Sequence, residues 1–107
     1  MQAVLEAITE PRRRAILRLV RDDELPAGEI ASEFDVTRQA ISQHLRVLRE
    51  AGLVRERRDG VRRLYRARPE ALAEIRGFLE EFWDSSLERL KAEIELDQGR
   101  SADGGDR

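Results

Sequence analysis

No cysteine occurs anywhere in the 107 residues. The chain can therefore form no disulfide framework, no thiolate metal site and no thiol redox switch. Histidine is nearly as scarce: His44 is the single imidazole, and no second metal ligand stands near it in sequence. Long apolar runs are missing as well, since none exceeds four residues and a bilayer span needs roughly 20. Met1 to Ile8 lacks the basic opening and long apolar stretch of a signal peptide. A soluble cytoplasmic protein is the expectation. No glycine-rich phosphate loop and no Ser or Asp in a catalytic frame can be found, which argues against an enzyme.

What is present is charge, and it is unevenly placed. Charged residues make up 39% of the chain and hydrophobic residues 40%, and the net charge is -2. That total conceals three blocks: residues 1–37 carry -3, residues 38–68 carry +7 and residues 69–107 carry -6. A basic middle between acidic flanks is the electrostatic footprint of a localised polyanion site, although a solvated charged surface gives the same count. The length fits one domain. A core this small buries a modest share of its surface, so a dimer that buries more is expected.

The apolar spacing lays out the elements. Val4, Leu5 and Ile8 mark a short first helix, and Thr9 is expected to cap a second, with Pro11 in its first turn. Ala15, Ile16, Leu19 and Val20 form its inward stripe. Pro26 to Phe34 reads as a short helix with Ile30, Ala31 and Phe34 inward, followed by a turn at Asp35 and Val36. Thr37 then caps a helix running through Ile41, Leu45 and Leu48 to a stop at Gly52. Two short helices joined in this way make a helix-turn-helix.

Asp59-Gly60 predicts a β-hairpin with a type I′ turn between Leu53–Arg58 and Val61–Ala67. That turn places Arg58 opposite Val61, Glu56 opposite Arg63 and Val54 opposite Tyr65. Pro69 opens a long final helix to about Leu96, and the Gly/Asp/Ser-rich stretch from Gln98 to Arg107 is expected to be a disordered tail. The expectation is a mostly α fold with a small β-hairpin, an α+β winged helix-turn-helix in the order α-α-α-α-β-β-α. Residues 1–97 form its DNA-binding and dimerisation domain and 98–107 the tail.

Three segments carry a closer match: EPRRRAIL, EIASEFDVTRQAISQHLRVLREAGLV and RRDGVRRLYRARPEAL. They resemble the ArsR/SmtB family of bacterial repressors over roughly residues 3–83. The resemblance implies a dimeric repressor that releases its operator on a signal.

On the helix from Arg38 to Ala51, Ile41, Leu45 and Leu48 face inward, and Arg38, Gln39, Ser42, Gln43 and Arg46 lie opposite. No acid interrupts that face between Arg38 and Arg49. Arg38 suits a guanine edge, Gln39 or Gln43 suits adenine, and Ser42 and Thr37 suit a base or a phosphate. Arg46 lies further along and suits phosphate. His44 sits between the two faces with Ala40 and Val47, where packing or a phosphate contact is the expected role rather than metal ligation.

Arg57, Arg58, Arg62 and Arg63 crowd the wing, and a phosphate partner would relieve their repulsion. The family often has Arg directly after the wing glycine, whereas this chain has Val61. Arg12, Arg13 and Arg14 form a second basic cluster, suited equally to a phosphate contact at a helix start and to a plain surface role.

The family is best known for metal sensing, and the residues for it are missing. Pro26 and Gly28 occupy the cysteine positions ahead of Glu29-Ile30-Ala31, and the helix from Glu70 to Leu96 has no histidine. Asp84, Glu88 and Glu93 would hold a hard cation only weakly. The chain reads as resembling the metal-independent branch, with no metal, no cofactor and an effector the sequence does not name.

Leu72, Ile75, Phe78, Leu79, Phe82, Trp83, Leu87, Leu90 and Ile94 give the last helix more apolar positions than one small core needs. The family pairs this helix and the first across a two-fold axis. The expected dimer interface is Val4, Leu5, Ile8, Phe78, Leu79, Phe82, Trp83, Leu87 and Leu90. Such a homodimer would set two reading helices about one DNA turn, ~34 Å, apart on a palindromic operator in double-stranded DNA. The alternative is a protein-interaction module whose basic face docks an acidic partner. Steep salt dependence together with sequence preference distinguishes the DNA binder.

Overall fold

A computed structural model of the chain describes the backbone of residues 1–104, and the side chains of 83–87 and 99–107 lie outside what it describes. Two compact units divide the chain, Met1–Glu74 and Ile75–Arg107.

The first unit opens with α1 (Gln2–Ile8) and α2 (Pro11–Leu19). A two-residue strand β1 (Leu25–Pro26) leads into α3 (Ala27–Ser32) and α4 (Arg38–Glu50). Strands β2 (Val54–Asp59) and β3 (Arg62–Ala67) and a short 3-10 turn (Pro69–Leu72) follow. Each helix contributes to one core: Val4 and Ala7 from α1, Ile16 from α2, Ile30 from α3, and Ile41, Leu45 and Leu48 from α4. Val20, Leu53, Val54 and Leu64 complete it. The mostly helical fold with a small sheet and a helix-turn-helix is as expected from the pattern of apolar residues.

The helix boundaries follow from local hydrogen bonding. Glu10, not Thr9, caps α2: its carboxylate accepts from the Arg12 backbone N–H at 3.1 Å, with Pro11 in the first turn. Thr9 instead finishes α1, its hydroxyl donating to the Glu6 carbonyl at 2.6 Å. The helix before the turn is shorter than expected, ending at Ser32, and Phe34 lies half-buried beyond it. Thr37 caps α4 as predicted, accepting from the Ala40 N–H at 3.0 Å. At the other end Leu53 N–H donates to the Leu48 carbonyl and Gly52 N–H to the Arg49 carbonyl, both at 2.9 Å. These are the paired bonds of a Schellman stop, and they place Gly52 at φ +79°, where a side chain would strain the backbone.

The sheet has three antiparallel strands in the order β1-β3-β2, with Leu25 opposite Tyr65 and Pro26 opposite Leu64. β1 is an addition to the predicted hairpin. The hairpin register also differs from the expected one. Arg58 faces Arg63, Glu56 faces Tyr65, Val54 faces Ala67, and the closing pair is Asp59 with Arg62. The turn has moved by one residue, so that its two central positions are Gly60 and Val61. Gly60 has φ +66° and, among the described residues, no non-glycine residue has positive φ. A type I′ turn over Asp59-Gly60 would hold both residues at positive φ, whereas glycine at the first central position alone is the type II′ arrangement. Because each strand shifts by a matched amount, every side chain keeps the sheet face predicted for it.

The last helix, α5 (Ala73–Gly104), makes up the described part of the second unit from Ile75 onward. It runs past Leu96, where the apolar pattern ends. The stretch expected to be a disordered tail is helical in backbone as far as Gly104, and 105–107 lie outside the described residues. No helix among the described residues is long and apolar enough to cross a membrane.

Candidate nucleic-acid interface

The spacing of Ile41, Leu45 and Leu48 fixes the orientation of α4. All three are at most 1% exposed, which turns Arg38, Gln39, Ser42, Gln43 and Arg46 to the surface. The predicted reading residues therefore share one exposed face. Thr37 stands at its start, its oxygen engaged by Ala40 and its hydroxyl hydrogen still able to donate. Arg46 is drawn towards Glu50 at 3.1 Å, one turn along the same helix. Arg38 has no carboxylate partner among the described residues.

Between this helix, the start of α3 and the wing lies a groove of about 710 Å³. Arg38, Arg46, Arg49, Arg62 and Arg63 line it against only two acids, Glu29 and Glu56. Sequence reasoning paired Glu56 with Arg63 but missed its second partner. Glu56 binds Arg49 of α4 at 2.7 Å and lies 3.4 Å from Arg63 of β3, with its side chain only 18% exposed. The expected Glu56–Arg63 attraction survives as a diagonal contact, because the shifted register sets Glu56 opposite Tyr65 instead. Burial, and then the Glu56 carboxylate, pushes the Tyr65 phenol above its ordinary range, so it remains a neutral donor in the groove. Arg49 could have been found from its helical position, seven residues after Ser42 on the exposed side.

The four wing arginines differ in their surroundings. Arg57 is held by Glu24 through two hydrogen bonds, 3.0 Å from Nε and 2.7 Å from Nη2. That contact fastens β2 to the residue ahead of β1, a role no local pattern announces. Arg62 lies 3.7 Å from Asp59, and Arg63 near Glu56. Arg58 has no carboxylate partner among the described residues. Val61 stands fully exposed at the tip.

The cluster at the start of α2 has a structural use. Arg13 donates to the Ala7 carbonyl at 2.6 Å and to the Glu6 carbonyl at 3.3 Å, and Arg14 donates to the Ile8 carbonyl at 2.6 Å. These are carbonyls of the last turn of α1, at the end of the dipole that favours cations. Arg12 instead lies over the Phe34 ring, 5.5 Å from its centroid. Arg13 also reaches α4: its Nη1 is 3.3 Å from His44 Nδ1. Burial, and then the Arg13 charge, holds the His44 imidazole below its ordinary pKa. Nδ1 therefore accepts from Arg13 and leaves Nε2–H as a donor. Among the described residues, no group of three His, Cys, Asp or Glu side chains is placed to hold a metal ion. Asp84 falls outside those residues.

The residues named for dimerisation separate by burial. Val4 is 6% exposed within its own chain and belongs to the core, because Val4 and Ala7 share the inward side of α1. Leu5 is exposed and Ile8 half-buried. On α5, Phe78 is 53% exposed, Phe82 64% and Leu90 51%, and Leu79 is exposed too. The side chains of Trp83 and Leu87 lie outside the described residues.

Comparison with known proteins places this geometry. The helix-turn-helix domain family matches residues 8–57. The helix-turn-helix-type transcriptional regulator Rv2034 of Mycobacterium tuberculosis is 42% identical over 82 residues, 77% of this chain and 77% of its own length. The transcriptional repressor SdpR of Bacillus subtilis is 38% identical over 60 residues, 56% of this chain and 67% of its own. Among solved structures, a possible transcriptional regulator for arsenical resistance superposes with a TM-score of 0.68 at 46% identity. It covers 83% of this chain and 93% of its own. The homodimeric winged helix-turn-helix DNA-binding domain of a possible ArsR-family regulator from Mycobacterium bovis superposes with a TM-score of 0.63 at 30% identity. It covers 78% of this chain and 77% of its own.

Proposed function

Since the chain belongs to the ArsR family of winged helix-turn-helix transcriptional regulators, we propose that it acts as a homodimeric repressor that reads an inverted-repeat operator without sensing a metal. The family is one of DNA-binding regulators, not enzymes. The observation that carries the finer reading is the exposed face of α4, free of acids from Arg38 to Arg49 and fixed by three buried residues behind it. On this reading Arg38 makes two parallel hydrogen bonds to a guanine, and Gln39 or Gln43 pairs with an adenine. Ser42 and Thr37 add contacts to a base or phosphate. Arg46 and the Nε2–H of His44 hold the backbone, which positions without specifying. Arg58, Arg62 and Arg63 take the wing phosphates, and Arg57 keeps donors to spare beyond its Glu24 pair.

The homodimeric Mycobacterium bovis domain supports pairing of two copies. Leu5 and Ile8 of α1 and the apolar residues of α5, with Trp83 and Leu87 among them, are the surfaces proposed for it. Pro26 and Gly28 in place of metal-binding cysteines support a regulator without a metal switch. The cytoplasm is the compartment that fits a DNA reader. Residues 1–97 are proposed as the working domain, with 98–107 as a tail.

Arg38→Ala is expected to cost about 1–3 kcal/mol of operator binding and to relax preference at one base position. Titration against the operator and its single-base variants measures both, and unchanged affinity would remove Arg38 from the reading set. Wild-type protein that binds random and chosen duplexes equally at every salt concentration would overturn sequence-specific reading altogether. Glu56→Gln tests the groove from the other side. Glu56 competes with phosphate for Arg49 and Arg63, so its loss should steepen the fall of affinity with salt by about one counterion for each arginine released. An unaltered salt slope would show that neither arginine meets the backbone.

A further inference from the structure

A second basic cleft lies in the first unit, on the sheet face turned away from the α4 groove. Arg21, Arg55, Arg66 and Arg68 line it with Ala67, Pro69 and Glu70, and its volume is about 580 Å³. Glu56, Arg63 and Tyr65 line the α4 groove. Arg55 and Arg66 alternate with these along β2 and β3, so they point to the opposite face. The wing tip is four residues along β3 from Arg66, roughly 13 Å at the rise of a strand. A duplex seated on α4 therefore meets the other face of the sheet, and of the wing arginines only Arg57 and Arg62 share a strand face with this cleft.

The cleft concentrates like charge that the protein does not neutralise. Arg55 and Arg66 are directly opposite one another across the strand pair, an arrangement that is destabilising for like charges. Neither has a carboxylate within ion-pair distance among the described residues. The nearby acids are engaged elsewhere. Asp22 lies 3.2 Å from Arg21, and Glu70 lies 3.8 Å from Arg68. Both oxygens of Glu24 are taken by Arg57. Glu24 does feel Arg55 and Arg66: its carboxyl is held below the usual range by the Arg57 hydrogen bond first, against some desolvation, and then by the charges of Arg57, Arg55 and Arg66. Its single charge faces three guanidinium groups.

We propose that this cleft is an anion site for a small phosphate-bearing molecule of two or more negative charges, clasped by Arg55 and Arg66 with Arg21 and Arg68 at its edge. Guanidinium forks match phosphate oxygens in planar, paired hydrogen bonds, and a multivalent anion removes the cross-strand repulsion as it binds. The site neither overlaps nor requires the DNA-reading face.

The test uses the full chain with inorganic pyrophosphate as probe, at ionic strength matched with sodium chloride. Pyrophosphate is expected to raise Tm and to bind saturably by calorimetry in the wild type and in Arg38→Ala. Arg55→Ala and Arg66→Ala should each weaken it about tenfold, the scale of a lost charge-assisted hydrogen bond, and the double variant should abolish it. Without pyrophosphate the double variant should melt no lower than the wild type, because a repulsive pair has been removed. No shift beyond the salt control, or a shift kept by the double variant, would overturn the proposal. A parallel titration with random-sequence duplex separates the other source of phosphate. Wild type and double variant should bind it equally at each salt concentration. A loss confined to the variant would assign the cleft to the DNA backbone and overturn the small-anion reading, while leaving DNA binding by α4 intact.

Discussion

Phe78→Glu is expected to turn the dimer into a monomer and to lower operator affinity by about a hundred- to ten-thousand-fold, the range lost when two linked contacts become one. Phe78 is 53% exposed, and Phe82, one turn further along the same helix, is 64% exposed. A stripe of this size left in water is unfavourable, and covering it with a second copy removes the exposure. A glutamate there would have to be buried unpaired in the interface, which is far costlier than losing the phenyl ring alone. The α4 face is remote in sequence and its residues are untouched, so each monomer should still bind a single half-site weakly. Sedimentation at several concentrations gives the mass, and titration against full and half operators gives the two affinities. A variant that stays dimeric would show that Phe78 lies outside the interface. A variant that becomes monomeric yet binds the full operator as tightly as before would refute two-fold reading.

Leu45→Ala should destabilise the first unit by about 2–5 kcal/mol, the cost of removing a large side chain from a closed core. In a domain of this size each kcal/mol lowers Tm by roughly 4–8 °C, so a drop of about 10 °C or more is expected. Leu45 is 1% exposed, on the inner side of α4 between Ile41 and Leu48, which are fully buried. Gln43→Ala, two positions away on the outer side, should change stability by no more than about 0.5 kcal/mol. Thermal and urea unfolding followed by circular dichroism measure both. Equal losses from the two changes would mean that α4 is not oriented as described, and the assignment of its reading face would fall with it.

This contrast also explains what could be read from the sequence. The orientation of α4 was legible because three apolar residues at helical spacing, a threonine at one end and a glycine at the other all specify the same thirteen-residue segment. Burial and capping agree there, so no tertiary information is needed. Strand β1 was not legible. Its two residues, one of them a proline, show no alternation, and they become a strand only because Tyr65 and Leu64 offer a free edge. The hairpin itself was legible from Asp59-Gly60, but its register was not. Asp-Gly fits a turn centred on both residues or one centred on Gly60 and Val61, and the choice falls to whichever leaves fewer side chains at positive φ.

The candidate site divides in the same way. Arg38, Gln39, Ser42 and Gln43 could be named from helical phase alone. Glu56 could be paired with Arg63 from the hairpin alone, but its bond to Arg49 and the Glu24–Arg57 pair could not, because they join separate elements that meet only in the fold. Thr9 and Glu10 are both plausible caps by residue type, and the structure gives them separate helix ends. For Arg12, Arg13 and Arg14 the charge was evident but its use was not. Two of the three are occupied by the carbonyls of the preceding helix, a contact that depends on the angle at which α1 meets α2.

Arg13 has a mechanical consequence. One guanidinium grips the end of α1 through the Glu6 and Ala7 carbonyls and at the same time touches His44 on α4. The first helix cannot swing or slide without either dragging the imidazole with it or tearing those bonds. A disturbance at the amino-terminal end therefore has a route to α4 through a single side chain, with no loop in between to absorb it.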